Sequence, residues 1–259
     1  MTYPADLYAA VHVGNPGDID FYVANVEGAK SALELGCGSG RVLAAMAQAF
    51  PDCRFVGVEL DPGLAAMARA RTEGLPNVVV HVGDMRRPPV HGPFDRVVVP
   101  YGGLYCLDDT EDLVRTLAAA SALLTPGGML YADGYAADGF HEHGEEGPEA
   151  EAPTRLGTVE VNGRAYDVTE RSTWDRSAQR LVAEYRHQPR DGGPAVLGVL
   201  PQRYLLAEEL LTAAMRAGLE PAGLWSSFAG DPYDPDDAEW MVVAALKPRP
   251  GSDPGPTVG

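Results

Sequence analysis

Short apolar runs alternate with amphipathic stretches through the first half of the chain. Ser31–Leu35, Arg54–Glu59, Val78–Val82, Phe94–Pro100 and Met129–Asp133 have the length and apolar content of buried strands. Between them, Arg41–Phe50 sets Val42, Leu43, Met46 and Ala47 on one helix face and stops before Pro51. Leu64–Thr72 follows Pro62, which fits just inside a helix start, and Glu111–Leu124 aligns Leu113, Leu117 and Leu124. Strands alternating with helices predict an α/β fold with a parallel sheet covered on both faces.

The pattern changes outside this stretch. Residues 1–30 predict a helical cap, with NPGD as a turn and a helix over Ile19–Val26. Asp138–Ala152 is rich in acids and lacks Lys and Arg, which predicts a solvated loop. Alternating stretches at Thr158–Val161, Ala165–Trp174, Leu181–His187 and Val196–Tyr204 follow, with NG between the first two as a hairpin signal. An inserted antiparallel meander is expected. Ala207–Ala217 then reads as a helix capped by Gly218, and Glu220–Phe228 and Glu239–Leu246 as closing strands. The division expected is a cap at 1–30, a core at 31–137 resuming at 205–247, an insertion at 138–204 and a disordered tail at 248–259.

Charge narrows the class. Against 20 basic residues stand 37 acidic ones, a net charge of −17, which disfavours nucleic acid and anionic membranes as partners. Cys37, Cys53 and Cys106 have no paired spacing for a disulfide framework or a zinc motif. With neither a signal peptide nor a run of about 20 apolar residues, a reducing, cytoplasmic location is expected.

The chemistry concentrates at LELGCGSGR, Leu33 to Arg41. Gly36, Gly38 and Gly40 close the first strand in a turn that lets a ligand approach bare backbone, while Arg41 stands where a dinucleotide fingerprint wants its third glycine. Glu59, ending the second strand, offers a carboxylate to two ribose hydroxyls. In order, LELGCGSGR, VGVELD, GDM, FDRVVVPYGG and TPGGMLY resemble the class I S-adenosylmethionine-dependent methyltransferases of the small-molecule type. The resemblance implies a seven-stranded Rossmann-like sheet with a C-terminal antiparallel hairpin. It implies that Glu34 orients the methionine ammonium of S-adenosylmethionine, and that Gly36, Cys37 and Gly38 pass its methionyl and ribose part, with Arg41 in the same set. Glu59 would take the ribose, Leu60 and Met85 the adenine faces and Asp84 its exocyclic amine, with Pro100 and Tyr101 beside the methionyl group.

In-line transfer from a sulfonium needs alignment more than a triad, so the acceptor side is harder to read. Tyr22, Tyr101 and His141 are the catalytic candidates, with Tyr105, Tyr135 and His143 near them in type; HEH lacks a third ligand, and no metal is expected. Cys106 reads as a small buried thiol. The acidic segment after the fifth strand and the turn bearing Asp231, Asp234, Asp236, Asp237 and Glu239 are expected to rim one mouth, pointing to a cationic or amine-bearing small molecule. Methylation of N is favoured over O of a phenol, sugar or carboxylate. A nicotinamide-dependent oxidoreductase and a non-catalytic binding module are the alternatives. Exposed meander edges allow a homodimer.

Overall fold

The computed structural model describes residues 3–144 and 153–250. Two helices, α1 (Ala5–Val11) and α2 (Asp18–Asn25), precede the first strand, β1 (Ser31–Leu35). The core continues with α3 (Arg41–Ala49), β2 (Arg54–Glu59), α4 (Pro62–Arg71), β3 (Val78–Val82), β4 (Phe94–Val99), α5 (Thr110–Leu123) and β5 (Leu124–Tyr135). After α6 (Asp138–His143) come β6 (Thr154–Val161), β7 (Arg164–Asp175), β8 (Arg180–Pro189) and β9 (Val196–Arg203). The chain returns through α7 (Ala207–Arg216) to β10 (Glu220–Trp225) and β11 (Trp240–Leu246).

The large sheet has the order β10-β11-β5-β4-β1-β2-β3, with β1 to β5 parallel and β11 antiparallel to both its neighbours. This is the expected seven-stranded sheet with its terminal hairpin. Along β1 and β4 the side chains alternate between two cores: Leu33, Leu35, Val97 and Val99 join one cluster with residues of α5 and α7, while Ala32 and Val98 join Val42, Leu43 and Met46 of α3. Burial on both faces explains the near-continuous apolar text of these strands. The order reverses between β1 and β4, so their following loops diverge and open a crevice at the carboxyl ends of the strands.

Local chemistry sets the element ends. Asp61 caps α4 by accepting from the N–H groups of Gly63 (2.8 Å) and Leu64 (3.0 Å), with Pro62 at the first helical position. Gly218, at φ 76°, ends α7 with Gly218 N–H on the Met215 carbonyl and Leu219 N–H on that of Ala214. At the NG turn, Asn162 and Gly163 both have positive φ, 53° and 75°, the conformation a two-residue hairpin needs.

The second sheet is the meander β6-β7-β8-β9. Its inner face carries Val168, Ala183, Tyr185 and Leu200, which pack with Tyr3 and with Leu7 of α1 in a third cluster. Two expectations change here. Asp138–His143 is a helix, anchored by Phe140 against Trp174 (ring centroids 5.3 Å) and Tyr204 (4.9 Å), where a loop was expected. β5 begins at Leu124, because that residue already pairs with Phe94. The acids from 145 to 152 and the tail beyond 250 lie outside the described residues.

Gly40 combines a φ of 78° with a position where a Cβ would come within 2.9 Å of the Ala68 backbone. Gly40→Val should therefore destabilise the fold by about 2–4 kcal/mol in chemical denaturation, through strain and loss of the close α3–α4 approach.

Candidate active site

The crevice beyond β1 to β4 holds a cavity of about 280 Å³. Glu34, Gly36, Cys37, Gly38, Arg41, Glu59, Leu60, Asp84, Met85, Pro100 and Tyr101 all line it. The glycine turn is held from β2: Glu59 Oε2 accepts from Gly38 N–H at 2.8 Å and Oε1 from Asp61 N–H at 2.9 Å. Gly36 and Gly38 have φ of 70° and 53°; no atom crowds the place of a Cβ on Gly38, so the backbone angle, not space, selects glycine. Glu59 is buried, and burial raises its pKa against those two N–H bonds. Glu34 is also buried and raised well above the usual carboxylate value by desolvation, which nearby Arg41 opposes; its Oε2 has no hydrogen-bond partner. Leu60 is 63% exposed at the rim.

Two site residues are held by partners within the protein. Arg41 makes a two-point pair with buried Asp18, Nη1 to Oδ1 at 2.8 Å and Nη2 to Oδ2 at 2.5 Å, tying α3 to α2. Asp84 is gripped by Arg86, Nε to Oδ2 at 2.9 Å and Nη2 to Oδ2 at 2.7 Å, and Arg86 reaches on to Asp112 at 2.6 Å. That grip lowers the Asp84 pKa.

A second cavity of about 390 Å³ lies between the large sheet and the meander. Its floor is the inner face of the meander, Glu170 and Ser172 from β7, Leu181, Ala183 and Tyr185 from β8, Leu200 and Gln202 from β9. Tyr135, Phe140 and Trp240 add aromatic walls. Glu170 is the one charged acid among the described residues lining it, and accepts from Ser172 Oγ at 2.8 Å. Tyr8, His12, Tyr101 and Cys106 line both cavities and form the neck between them. His12 packs among rings, with centroids 4.1 Å from Tyr8, 5.0 Å from Tyr185 and 6.1 Å from Tyr101. Burial, then neighbouring His187, lowers its pKa from 6.5 to about 4, and its Nε2 is buried without a partner.

The cap makes this neck. Tyr3 stacks on Tyr185 (5.3 Å) and shares a hydrogen bond with His187 Nε2 (2.8 Å), while Asn162 donates to Asp6 (3.0 Å), so α1 is pinned to the meander. Opposite, the turn after β4 takes left-handed φ at Tyr101 (57°) and Gly102 (66°). For a tyrosine this costs about 1–2 kcal/mol and needs support. Asp133 at the end of β5 supplies it: Oδ1 accepts from Tyr101 N–H at 2.9 Å, and its carbonyl from Gly102 N–H at 2.8 Å.

Several expectations need correction. Tyr22 is not a cavity residue: it is fully buried, and its hydroxyl donates to Asp133 Oδ1 at 2.5 Å. His141 lines neither of these two cavities: α6 turns its Nδ1 to the Tyr204 hydroxyl (2.8 Å), sets it in a separate pocket with His143 and Asp236, and presents Phe140 to the second cavity. Tyr105 is fully buried with its hydroxyl on the Tyr135 carbonyl (2.7 Å), and His143 faces Asp236 at 3.5 Å. Cys106 is exposed as a residue on the cavity wall, while desolvation, then the charge of Glu59, pushes its thiol up to about 11. The acidic turn does not rim the second cavity; Asp231, Asp237 and Glu239 line a separate groove against α2. Missed altogether were Tyr8, His12, Glu170 and Tyr185. Only Glu170 left a trace, sharing the inward parity of Val168 on β7.

A doubly covered sheet with its crevice at the switch point, a glycine turn held by a strand-end acid and an unpartnered carboxylate beside it define a nucleotide-cofactor α/β enzyme. A methyltransferase domain model matches residues 32–128. The chain is 27% identical over 217 residues to the cypemycin N-terminal methyltransferase of Streptomyces sp, covering 83% of this chain and 82% of that one. It is similar in structure to the CcbJ methyltransferase of Streptomyces caelestis, with a TM-score of 0.72 and 25% identity over 90% of this chain and 96% of that one. It is also similar to S-adenosylmethionine-bound CalS10, an amino pentose methyltransferase from Micromonospora echinaspora involved in calicheamicin biosynthesis. Here the TM-score is 0.64, with 27% identity over 88% of each chain. The chain is an S-adenosylmethionine-dependent methyltransferase with the class I fold, and S-adenosylmethionine is its cofactor. Among the described residues no helix is long and apolar enough to cross a membrane.

His12 stays neutral in the folded chain down to about pH 4, whereas the unfolded chain protonates it near 6.5. Its contribution to stability is complete above pH 6.5 and falls as the pH drops to about 4. Chemical denaturation across that range should show His12→Phe losing less stability on acidification than wild type, by on the order of 2–3 kcal/mol.

Proposed function

We propose that this enzyme transfers a methyl group to the nitrogen of a small amine-bearing molecule. The observation that carries the reading is the second cavity, walled by aromatic rings and holding Glu170 as its one described acid, joined to the cofactor crevice through the neck. Ring faces and a carboxylate attract an ammonium group by the same electrostatics, and a desolvated cation–ring contact is worth up to about 2 kcal/mol. The amine substrates named for the cypemycin N-terminal and amino pentose methyltransferases support the same choice.

The residues of the crevice fit the cofactor. Glu34, with one oxygen unpartnered, receives the methionyl ammonium, and the bare backbone of Gly36, Cys37 and Gly38 allows close approach. Glu59, preset by two N–H groups, accepts from the ribose hydroxyls. Leu60 and Met85 sandwich the adenine, and Asp84, steadied by Arg86, accepts from its amine. Pro100 and Tyr101 border the methionyl end, while Arg41 acts through its pair with Asp18, holding the helix that follows the glycine turn.

When bound, the cofactor supplies an electrophilic methyl on a sulfonium that leaves as a neutral thioether. The chain's task is then alignment. Rings at the neck exclude water and confine the acceptor, and Glu170 holds the ammonium by charge and accepts the proton that must leave to expose the nitrogen lone pair. His12, being neutral, adds no repelling charge in the path of a cation. Of the three catalytic candidates, Tyr101 alone lines both cavities, which supports keeping it as the catalytic candidate.

Two measurements test this. In a panel of primary amines and matched alcohols, amines should release S-adenosylhomocysteine from S-adenosylmethionine, and Glu170→Gln should raise the amine KM about tenfold at low salt. Preference for alcohols, or an unchanged KM, would sink the amine reading. Separately, Glu59→Ala should weaken S-adenosylhomocysteine at least tenfold and remove most of its effect on Tm, through two lost charge-assisted hydrogen bonds.

A further inference from the structure

The crevice and the second cavity meet at the neck, and Tyr101 is the neck residue carried by the turn after β4. That turn is Pro100–Gly102, and two of its residues are left-handed, with φ 57° at Tyr101 and 66° at Gly102. Consecutive N–H groups in such a conformation converge into an anion-binding concavity. In this chain the anion is built in. The Asp133 carboxylate accepts from Tyr101 N–H (2.9 Å), and the Asp133 carbonyl from Gly102 N–H (2.8 Å), so one residue captures both.

The carboxylate is held in turn. Tyr22, fully buried on α2, donates its hydroxyl to the same Oδ1 at 2.5 Å, and Asn15 approaches Oδ2 at 3.5 Å. Neither Asp133 nor Tyr22 lines either cavity. A solvent-shielded acid at the end of a central strand that touches no cavity has a purpose inside the structure, and its bonds run to the neck. The side chain it supports cannot be glycine, because the Tyr101 ring walls both cavities and lies 5.8 Å from the Arg41 guanidinium.

We propose that Asp133, braced by Tyr22, is the positioning residue of this methyltransferase: a strut that locks the Tyr101–Gly102 turn against the methionyl end of the cofactor and sets the width of the neck. The strut couples the cap to the transfer point, since Tyr22 sits on the helix that Asp18 also ties to Arg41. It rests on the cofactor placement proposed above, with the adenosine half at Glu59 and the methionyl half at Tyr101. It concerns only the methionyl half, and this gives it a signature that general damage lacks.

The test compares S-adenosylhomocysteine with adenosine, which lacks the amino-acid arm, by titration calorimetry on the full chain. Asp133→Leu, which removes the acceptor, should weaken S-adenosylhomocysteine at least tenfold and leave adenosine within about twofold. Asp133→Asn keeps an oxygen at the place of Oδ1 and should recover affinity to within about threefold of wild type. Tyr22→Phe, which spares the Tyr101 bond, should cost S-adenosylhomocysteine about threefold and adenosine nothing; it carries the test if Asp133→Leu does not fold. Parallel loss of both ligands, or no loss of S-adenosylhomocysteine, would overturn the strut. Failure of the cofactor placement looks different, for then Glu59→Ala would spare both ligands.

Discussion

Carboxylates at strand ends that capture backbone N–H groups are the interaction on which the site depends. The Glu59 carboxylate closes on Gly38 and Asp61, and the Asp133 carboxylate on Tyr101, with the Asp133 carbonyl taking Gly102. Each joins a rigid strand to a turn whose backbone would otherwise be free to relax from positive φ. Charge-assisted bonds to N–H groups are roughly twice as strong as neutral ones, and here both acids are buried, where competition from water is least. Burial raises both pKa values, Asp133 to about 6, so the bonds are bought against a desolvation cost. A fold can sustain such acids only where the surrounding strands hold them in place.

The remaining architecture builds a second cavity beside those turns. The parallel sheet opens a crevice by reversing its strand order, which suits a cofactor but gives no wall for a second substrate. The meander supplies that wall, and the cap closes the angle between meander and sheet by stacking Tyr3 on Tyr185 and resting α1 near α4. The neck is consequently composed from the N-terminal segment and the turn after β4, parts of the chain separated by about as many residues as a whole small domain. Sites at such junctions can change acceptor by altering the insertion without disturbing the cofactor crevice.

Charge is placed unevenly within this acidic protein. Glu34, Glu59, Asp84 and Asp108 line the crevice and Glu170 the second cavity, while Arg41 and Arg86, which also line the crevice, are paired with Asp18, Asp84 and Asp112. The interior field thus favours positive groups, and both a sulfonium and an ammonium carry one.

The sheet, and the set of residues that line the crevice beyond it, were legible in the sequence because their signals are local. Apolar runs at Leu33 and Val97, the spacing of Gly36, Gly38 and Gly40, and Glu59 at a strand end each act within a few residues of where they are written. The second cavity was not legible, for its residues converge from segments with no shared spacing: His12 follows a short helix, Glu170 sits in an edge-proximal hairpin, and Tyr185 lies on the neighbouring strand. Tyr22 and His141 were misplaced for the same reason. Residue type offered a hydroxyl and an imidazole, but only packing decided that Tyr22 would brace Asp133 and that His141 would turn to Tyr204. The sequence by itself determined the strand–helix order and the glycine turn that lines the crevice, since backbone angles and periodicity are properties of neighbours in the chain. The tertiary structure alone decided what lines the neck and the second cavity, because that depends on which distant side chains the two sheets and the cap bring together.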